Sequence, residues 1–245
     1  MPRPAIGLLV LALLTLSLAL PTTAARAQDA ELPALAEITS MRVDYVATFN
    51  GEPGIVCQDE WASASRFHST CLELVDAQFP EIGIDFVAGR VSEYVYYDGI
   101  AYSRLNDETV WLSAADPNYD PNNTLINIHF SGYTDPWDAV VTNVGRVDVG
   151  GTPATQYQFW SLDTELNEES GGQYVYDVFV SDQGFVLKDQ VSNRGNFPMG
   201  EGELAFIWTY RDFNTAISVA PPPAESVSTA SVSGLRLGPS VLLHR

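Results

Sequence analysis

The sequence has few basic residues. Lysine and arginine together number 12 against 31 aspartates and glutamates, which gives a formal net charge of -19. Nucleic acids and anionic headgroups bind proteins through lysine and arginine, so the surface as a whole is a poor partner for them. Solubility in an extracellular or high-salt setting accounts for this acidity. We therefore expect no nucleic-acid partner.

Motifs of nucleophilic, zinc-dependent and phosphate-transfer catalysis are also missing. The sequence contains no G-x-S-x-G or H-E-x-x-H motif and no phosphate-binding glycine loop. Its three histidines, His68, His129 and His244, lack the spacing of a shared metal site. Carboxylate pairs such as Glu81 and Asp85 have the chemistry of a glycosidase, but among 31 acidic residues such pairs arise by chance. We expect no catalytic residue and no cofactor.

One loop is rich in oxygen ligands. Asp116–Asn123 (DPNYDPNN) clusters aspartate and asparagine, and Ca²⁺ takes roughly six to eight such hard ligands. The spacing does not match an EF-hand, and the same residue types are common in ordinary turns. A calcium site and a plain turn both remain open at this stage.

No apolar run in the first 30 residues is long enough to span a membrane. Ile6–Leu20 ends at Pro21 and falls short of the roughly 20 residues that a spanning helix needs. It follows Arg3 and precedes the small-x-small motif Ala25-Arg26-Ala27, an arrangement typical of a cleaved signal peptide. A membrane anchor is the alternative. We predict a signal peptide over residues 1–27 and a secreted protein of the periplasm or cell surface that is soluble after cleavage.

The two cysteines, Cys57 and Cys71, are the only ones in the chain. In an exported protein an even pair is most simply a disulfide, and this spacing fits two neighbouring strands joined by a turn. A metal site would need further ligands, of which His68 is the one nearby candidate. We predict a Cys57–Cys71 disulfide.

Alternation of apolar and polar residues predicts strands along most of the chain. In Met41–Phe49 the apolar residues of one face are Val43, Tyr45, Ala47 and Phe49. A later strand places Leu204, Phe206, Trp208 and Tyr210 on one face in the same way. Turn signals between these runs are Asp98-Gly99, Asn106-Asp107, Gly150-Gly151 and Asp182-Gln183-Gly184. Many short strands with tight turns predict an antiparallel meander.

Two segments carry helix signals. In the first, Thr134 or Asp135 can cap a helix that ends at Gly145. Its apolar stripe follows the i, i+3, i+4, i+7 pattern of an amphipathic helix: Trp137, Val140, Val141 and Val144. A second, shorter helix is predicted over Pro33–Ser40. Beyond the domain, residues 223–245 are rich in Pro, Ser, Thr and Ala, and we predict a disordered tail.

Two C-terminal blocks resemble a known family. Tyr174–Val191 (YVYDVFVSDQGFVLKDQV) and Leu204–Pro222 (LAFIWTYRDFNTAISVAPP) are similar to the closing strands of the LolA-like, LppX/LprG-type lipid and lipoprotein carriers of bacterial envelopes. Val147–Tyr157 resembles a hairpin of the same proteins, and the likeness in element order covers roughly residues 35–222. It implies a mainly β (α+β) fold: a strongly curved antiparallel sheet, or open half-barrel, with a few short helices covering an apolar concave face. No cysteine lies near the predicted cleavage site, so the lipid-modified N-terminus of many such proteins is missing.

These observations predict one domain over residues 28–222 that binds something apolar and performs no chemistry. The resemblance implies lipid or acylated cargo, with an envelope or membrane protein as donor or acceptor, and we expect a monomer. Face periodicity assigns the cavity wall to seven residues: Trp137, Val140, Val141, Val144, Phe206, Trp208 and Tyr210. The alternatives are a cell-surface structural or interaction module with a filled core, and a carbohydrate hydrolase.

Overall fold

The computed structural model describes residues 33–79, 84–106, 108–120, 122, 139–161, 174–197 and 200–230. This part of the chain forms fourteen strands and one short 3₁₀ helix, Ala224–Ser226. The strands are β1 Met41–Phe49, β2 Glu52–Ser63, β3 Arg66–Glu73, β4 Ala77–Phe79, β5 Ile84–Phe86, β6 Val91–Tyr97, β7 Ile100–Leu105, β8 Trp111–Ala115, β9 Ala139–Val149, β10 Thr152–Ser161, β11 Tyr174–Ser181, β12 Val186–Phe197, β13 Gly200–Arg211 and β14 Val227–Thr229. In these residues no helix has the length and apolar character to cross a membrane.

Twelve strands form one large, curved and unclosed sheet. Their order is β14-β8-β7-β6-β3-β2-β1-β13-β12-β11-β10-β9, while β4 and β5 pair separately. Every pair in the large sheet is antiparallel except β14 with β8. The central pair joins the two ends of the domain, with Tyr45 of β1 opposite Trp208 of β13. The predicted antiparallel meander is therefore confirmed.

Tight turns connect consecutive strands as the sequence predicts. Asp98 and Gly99 join β6 to β7 with φ values of 47° and 85°, and Gly150 and Gly151 join β9 to β10 with 59° and 88°. Positive φ at both turn residues matches the right-handed twist of the flanking strands. Arg66 holds the first turn by a pair of hydrogen bonds to the Asp98 carboxylate, at 2.9 and 2.7 Å.

The sheet has an inner face and an outer face. On β1 the residues Met41, Val43, Tyr45 and Ala47 are buried on the inner face, and the residues between them are more exposed. The outer face carries cross-strand ion pairs, among them Arg211 with Asp44 at 2.9 Å. Exposed pairs of this kind contribute about 0–1 kcal/mol each, so burial of the inner face is the main source of stability.

The disulfide lies between two inner-face positions. Cys57 of β2 and Cys71 of β3 are directly opposite in the register, with Cα atoms 4.0 Å apart, and the two sulfurs are bonded. Both residues are buried. The predicted Cys57–Cys71 disulfide is confirmed.

The longer predicted helix is wrong. Val140, Val141 and Val144 belong to β9, which pairs with β10, and Trp137 lies outside the described residues. Valine loses side-chain freedom in a helix and packs well on a sheet, so pairing with β10 outweighs the helical spacing. Gly145 does not end a helix: the register shifts beside it, and its φ of 126° is the positive value of a bulge.

The shorter predicted helix is also wrong. Residues 33–40 have no regular structure; instead their backbone bonds to distant loops. The Ala36 N–H donates to the Gly184 carbonyl at 2.9 Å, and the Thr39 N–H donates to Asn214 Oδ1 at 2.7 Å. In a helix over residues 33–40 the Thr39 N–H would donate to the Leu35 carbonyl, whereas here it donates to Asn214.

The predicted disordered tail is wrong over its first residues. Val227–Thr229 forms β14, which pairs in parallel with β8, so that Val227 lies opposite Trp111. This pairing uses backbone groups at a sheet edge, and residue composition carries no information about them. Residues 231–245 lie outside the described residues.

Candidate functional site

The centre of the inner face is an aromatic cluster on β1 and β13. The ring of Tyr45 lies 5.2 Å from that of Trp208 and 6.5 Å from that of Phe206, and the last two are 6.3 Å apart. Trp208 and Tyr210 are buried, and Phe206 is half-buried against the core. The structure thus brings together the three β13 residues that the sequence singled out.

A second aromatic cluster continues the face across β2, β3 and β6. Trp61 stacks on Phe67 with ring centres 4.1 Å apart, and Phe67 contacts Tyr94 at 5.4 Å and Tyr96 at 5.6 Å. Such pairs contribute about 0.5–1.5 kcal/mol beyond the area that they bury. Trp61 and Phe67 were not predicted to belong to the site, although their alternation with polar neighbours was visible in the sequence.

Towards β9 the inner face carries both aliphatic and aromatic residues. Val178 and Val180 are buried on β11, Phe159 is buried on β10, and Val141 of β9 is half-buried against the same core. Val144 instead exposes 46% of its surface, because it lies at the β9 bulge. Of the predicted β9 residues, Val141 therefore packs with the β13 residues in one core, and Val144 does not.

Polar groups interrupt this apolar face near β1. Asp59 of β2 is only 3% exposed, and burial raises the pKa of its carboxyl to about 7, although a hydrogen bond with Ser69 opposes the shift. On the other side of β1 the Tyr210 hydroxyl donates to Asp189 Oδ2 at 3.0 Å, and both residues are buried. Burial above all, followed by the charge of Asp189, raises the pKa of Tyr210. Two acids and a phenol thus lie within a predominantly aromatic surface.

An open depression of about 520 Å³ lies away from the aromatic clusters. Polar and charged groups dominate its lining, which consists of Asn50, Gly51, Arg194, Glu201, Gly202 and Glu203. None of the seven predicted cavity residues belongs to this lining. It therefore differs in both place and character from the predicted apolar cavity.

The oxygens of the Asp116 loop serve local turns. Asp116 Oδ1 accepts from the Asn118 N–H at 2.9 Å, and Asp120 Oδ1 accepts from the Asn122 N–H at 2.8 Å. The second Asp116 oxygen accepts from the Tyr96 hydroxyl at 2.9 Å. In the described part of the chain no group of three or more His, Cys, Asp or Glu residues is arranged to hold a metal ion. The bonds from the backbone of Asn118 and Asn122 are those of Asx turns.

Comparison with known proteins finds likenesses among solved structures alone. No family model and no curated protein matches the chain. LprF from Mycobacterium bovis is similar, with 12% identity and a TM-score of 0.46, covering 75% of this chain and 90% of that one. Lipoprotein LppX from Mycobacterium tuberculosis has 11% identity and a TM-score of 0.43 with the same coverages.

A putative outer membrane lipoprotein-sorting protein domain from Vibrio parahaemolyticus has 10% identity and a TM-score of 0.22, over 74% of this chain and 87% of that one. These structures are of the LolA-like and LppX/LprG types that the sequence resembles. The likenesses assign no function to this chain.

Proposed function

We propose that this chain is an exported, non-enzymatic binding protein that holds a lipid or other apolar ligand against the inner face of its sheet. The observation that supports this most strongly is the continuous aromatic and aliphatic surface from β6 to β9 on one side of an unclosed sheet. In the proposal, residues 1–27 are removed on export and an envelope or membrane protein delivers or receives the ligand.

Burial of hydrocarbon supplies enough free energy for such binding. Each methylene removed from water contributes about 0.8 kcal/mol, and micromolar affinity corresponds to about 8 kcal/mol. About ten buried methylenes, which is part of one acyl chain, supply this amount before the cost of association is counted. Aromatic and aliphatic walls suit this ligand because they offer area without demanding polar partners.

The proposed contact residues are Phe206, Trp208, Tyr210 and Val141. Phe206 is the best test position, because it is half-buried at the edge of the aromatic cluster rather than sealed within it. Trp137 and Val140 remain predictions. Val144 is left out because its exposure places it outside the core.

A pair of variants on one strand tests the proposal. Phe206→Ala removes an inner-face ring, whereas Ile207→Ala shortens the neighbouring residue, which points to the outer face and pairs with Val46 and Gln190. Loss of about 1 kcal/mol of apolar contact should weaken binding of a neutral fluorescent monoacylglycerol about fivefold in Phe206→Ala, and hardly in Ile207→Ala. Circular dichroism and melting temperature first establish that both variants fold. Equal affinities in the two variants would contradict the proposal.

A second candidate is an interaction module whose core is filled by its own side chains. It is favoured by the tight packing at the centre of the sheet, where Met41, Val43 and Tyr45 are between 0% and 1% exposed. The same titration separates the two functions. A filled core takes up no acyl probe, whereas the carrier does so saturably.

A further inference from the structure

Among the buried polar atoms without a hydrogen-bond partner in the described part of the molecule are the Tyr45 hydroxyl and one Asp59 carboxyl oxygen, both on the inner face. Tyr45 is 1% exposed and Asp59 is 3% exposed, and in the described part of the molecule nothing hydrogen-bonds Tyr45 Oη or Asp59 Oδ1. Buried polar atoms are nearly always paired, because the alternative loses the hydrogen bonds made to water in the unfolded chain. An unpaired phenol and an unpaired carboxyl oxygen on one surface therefore need a polar partner, which an ordered water or a ligand group can supply.

The two side chains are neighbours. Tyr45 is opposite Cys57 in the β1–β2 register, and Asp59 lies two residues further along β2 on the same face. Diagonal positions of this kind are within reach of a long side chain. Their interaction is also visible electrostatically, since burial, and after it the charge of Asp59, raises the pKa of Tyr45.

The surroundings favour a neutral group over an anion. Among the described residues, the buried polar side chains are those of serines, acids and one asparagine, and they include no lysine, arginine or histidine. Asp59, whose pKa is raised by burial to about 7, is mostly ionised at pH 8, and Asp189 lies across β1 and β13. A ligand carboxylate would meet negative charge without a buried cation to balance it.

We propose that Tyr45 and Asp59 form a polar subsite that binds the hydroxyl group of an otherwise apolar ligand, such as a long-chain alcohol. A hydroxyl donates its hydrogen to Asp59 Oδ1 and accepts from the Tyr45 phenol, so one group satisfies both atoms. An ether of the same length accepts but does not donate, and a carboxylate only accepts. The inference rests on the proposed function and adds the class of ligand.

Three ligands that differ in one functional group test the subsite. At pH 8 the wild-type protein, loaded with the fluorescent monoacylglycerol, is titrated with 1-dodecanol, 1-methoxyundecane or dodecanoate. A hydrogen bond to a charged group is strong, so we expect the alcohol to bind about tenfold more tightly than the ether or the carboxylate. This comparison needs no variant and does not depend on the folding of one.

Two variants then assign one hydrogen bond to each residue. Asp59→Asn should reduce the ratio of alcohol to ether affinity at least about threefold, because the ether makes no hydrogen bond to Asp59. Tyr45→Phe should weaken the binding of alcohol and ether alike about threefold and leave their ratio unchanged, because both ligands accept from the phenol. The control is Tyr157→Phe, which removes a phenol oxygen from a buried tyrosine on β10, four strands from β1, and should keep the wild-type affinities and their ratio.

The possible outcomes distinguish failure of the polar subsite from failure of the proposed apolar-ligand binding. Equal displacement by the three ligands, an unchanged ratio of alcohol to ether affinity in Asp59→Asn, or unchanged affinities in Tyr45→Phe would overturn the subsite while apolar binding stands. Absence of any probe binding would overturn the binding function itself, and the subsite with it.

Discussion

Replacement of Asp59 by asparagine should change how the stability of this protein depends on pH. Asp59 lies on the inner face of β2, opposite Val43 on one side and Ser69 on the other. Asparagine has nearly the same shape and retains an oxygen for the bond with Ser69. The substitution therefore removes a titrating group with little change in packing.

The sign follows from the raised pKa. Burial chiefly, and the charge of Asp44 to a lesser degree, raises the pKa of Asp59 from 3.8 to about 7. Between these values the unfolded chain has released the proton and the folded chain retains it, so folding becomes less favourable as pH rises. The stabilisation from the neutral buried acid is complete below pH 4 and lost above pH 7.

The magnitude is set by the width of that window. One unit of pKa difference corresponds to about 1.4 kcal/mol, so a shift from 3.8 to about 7 gives an upper bound of about 4 kcal/mol. The free energy of unfolding of the asparagine variant, relative to that of the wild type, should therefore rise by this amount between pH 4 and pH 7. Above pH 7 the difference should stay constant. Other carboxyl groups titrate in both proteins and cancel in the difference.

Urea unfolding at one-unit steps from pH 4 to pH 8 measures this difference. Asp98→Asn is the matched control, because Asp98 sits in an exposed turn where the Arg66 guanidinium lowers its pKa. The ionised Asp98 stabilises the fold at any pH above the pKa of this residue in the unfolded chain, and this contribution is lost only as pH falls through the lower pKa in the folded protein. The difference in unfolding free energy between Asp98→Asn and the wild type should therefore be flat over this range. A flat or falling curve for Asp59→Asn would refute the buried neutral carboxyl.

Two further predictions concern the stability of the sheet, through its disulfide and one of its turns. Replacing both Cys57 and Cys71 by serine opens a loop that contributes about 3 kcal/mol, which should lower the melting temperature by roughly 6–12 °C; an unchanged value would show that the bridge does not stabilise the fold. Gly99→Ala and Gly89→Ala both place alanine at a φ near +85°, but a Cβ at Gly99 would meet the Tyr119 ring at 2.8 Å, whereas that at Gly89 meets nothing within 4 Å. Gly99→Ala should therefore lose more stability, by about 1–2 kcal/mol, and equal losses in urea unfolding would contradict the close contact.

The strands could be predicted from local sequence because their determinants are local. The alternation in Met41–Phe49 and the Asp98-Gly99 turn are both present in the structure where the sequence indicates them. The turn at Asn50 and Gly51, with φ values of 52° and 81°, carried the same kind of signal and was missed. Asn-Gly between apolar runs is among the strongest hairpin signals.

The β9 segment could not be predicted from its own residues. The spacing of Val140, Val141 and Val144 fits a helical stripe, yet the same valines favour a strand. The choice depends on β10, which offers backbone partners to every residue of 139–149 except Val144 at the bulge. Pairing between strands is a property of the sheet, and a single segment does not contain it.

The candidate site was predicted in part. Phe206, Trp208 and Tyr210 share one face by simple alternation, and the structure places them in one core. Asp59 was overlooked although it has the same parity as Cys57 and Trp61, so an acid was already implied on an apolar face. Its position beside Tyr45 depends on the register of β1 with β2, which only the three-dimensional structure provides.

Native mass spectrometry of the protein purified from its own host tests the binding function most directly. The inner face of the sheet should carry an apolar molecule, so the native spectrum should show a mass above that of the processed chain, and organic solvent should remove the difference. A native mass equal to that of the chain alone, together with no uptake of the fluorescent monoacylglycerol, would contradict the account.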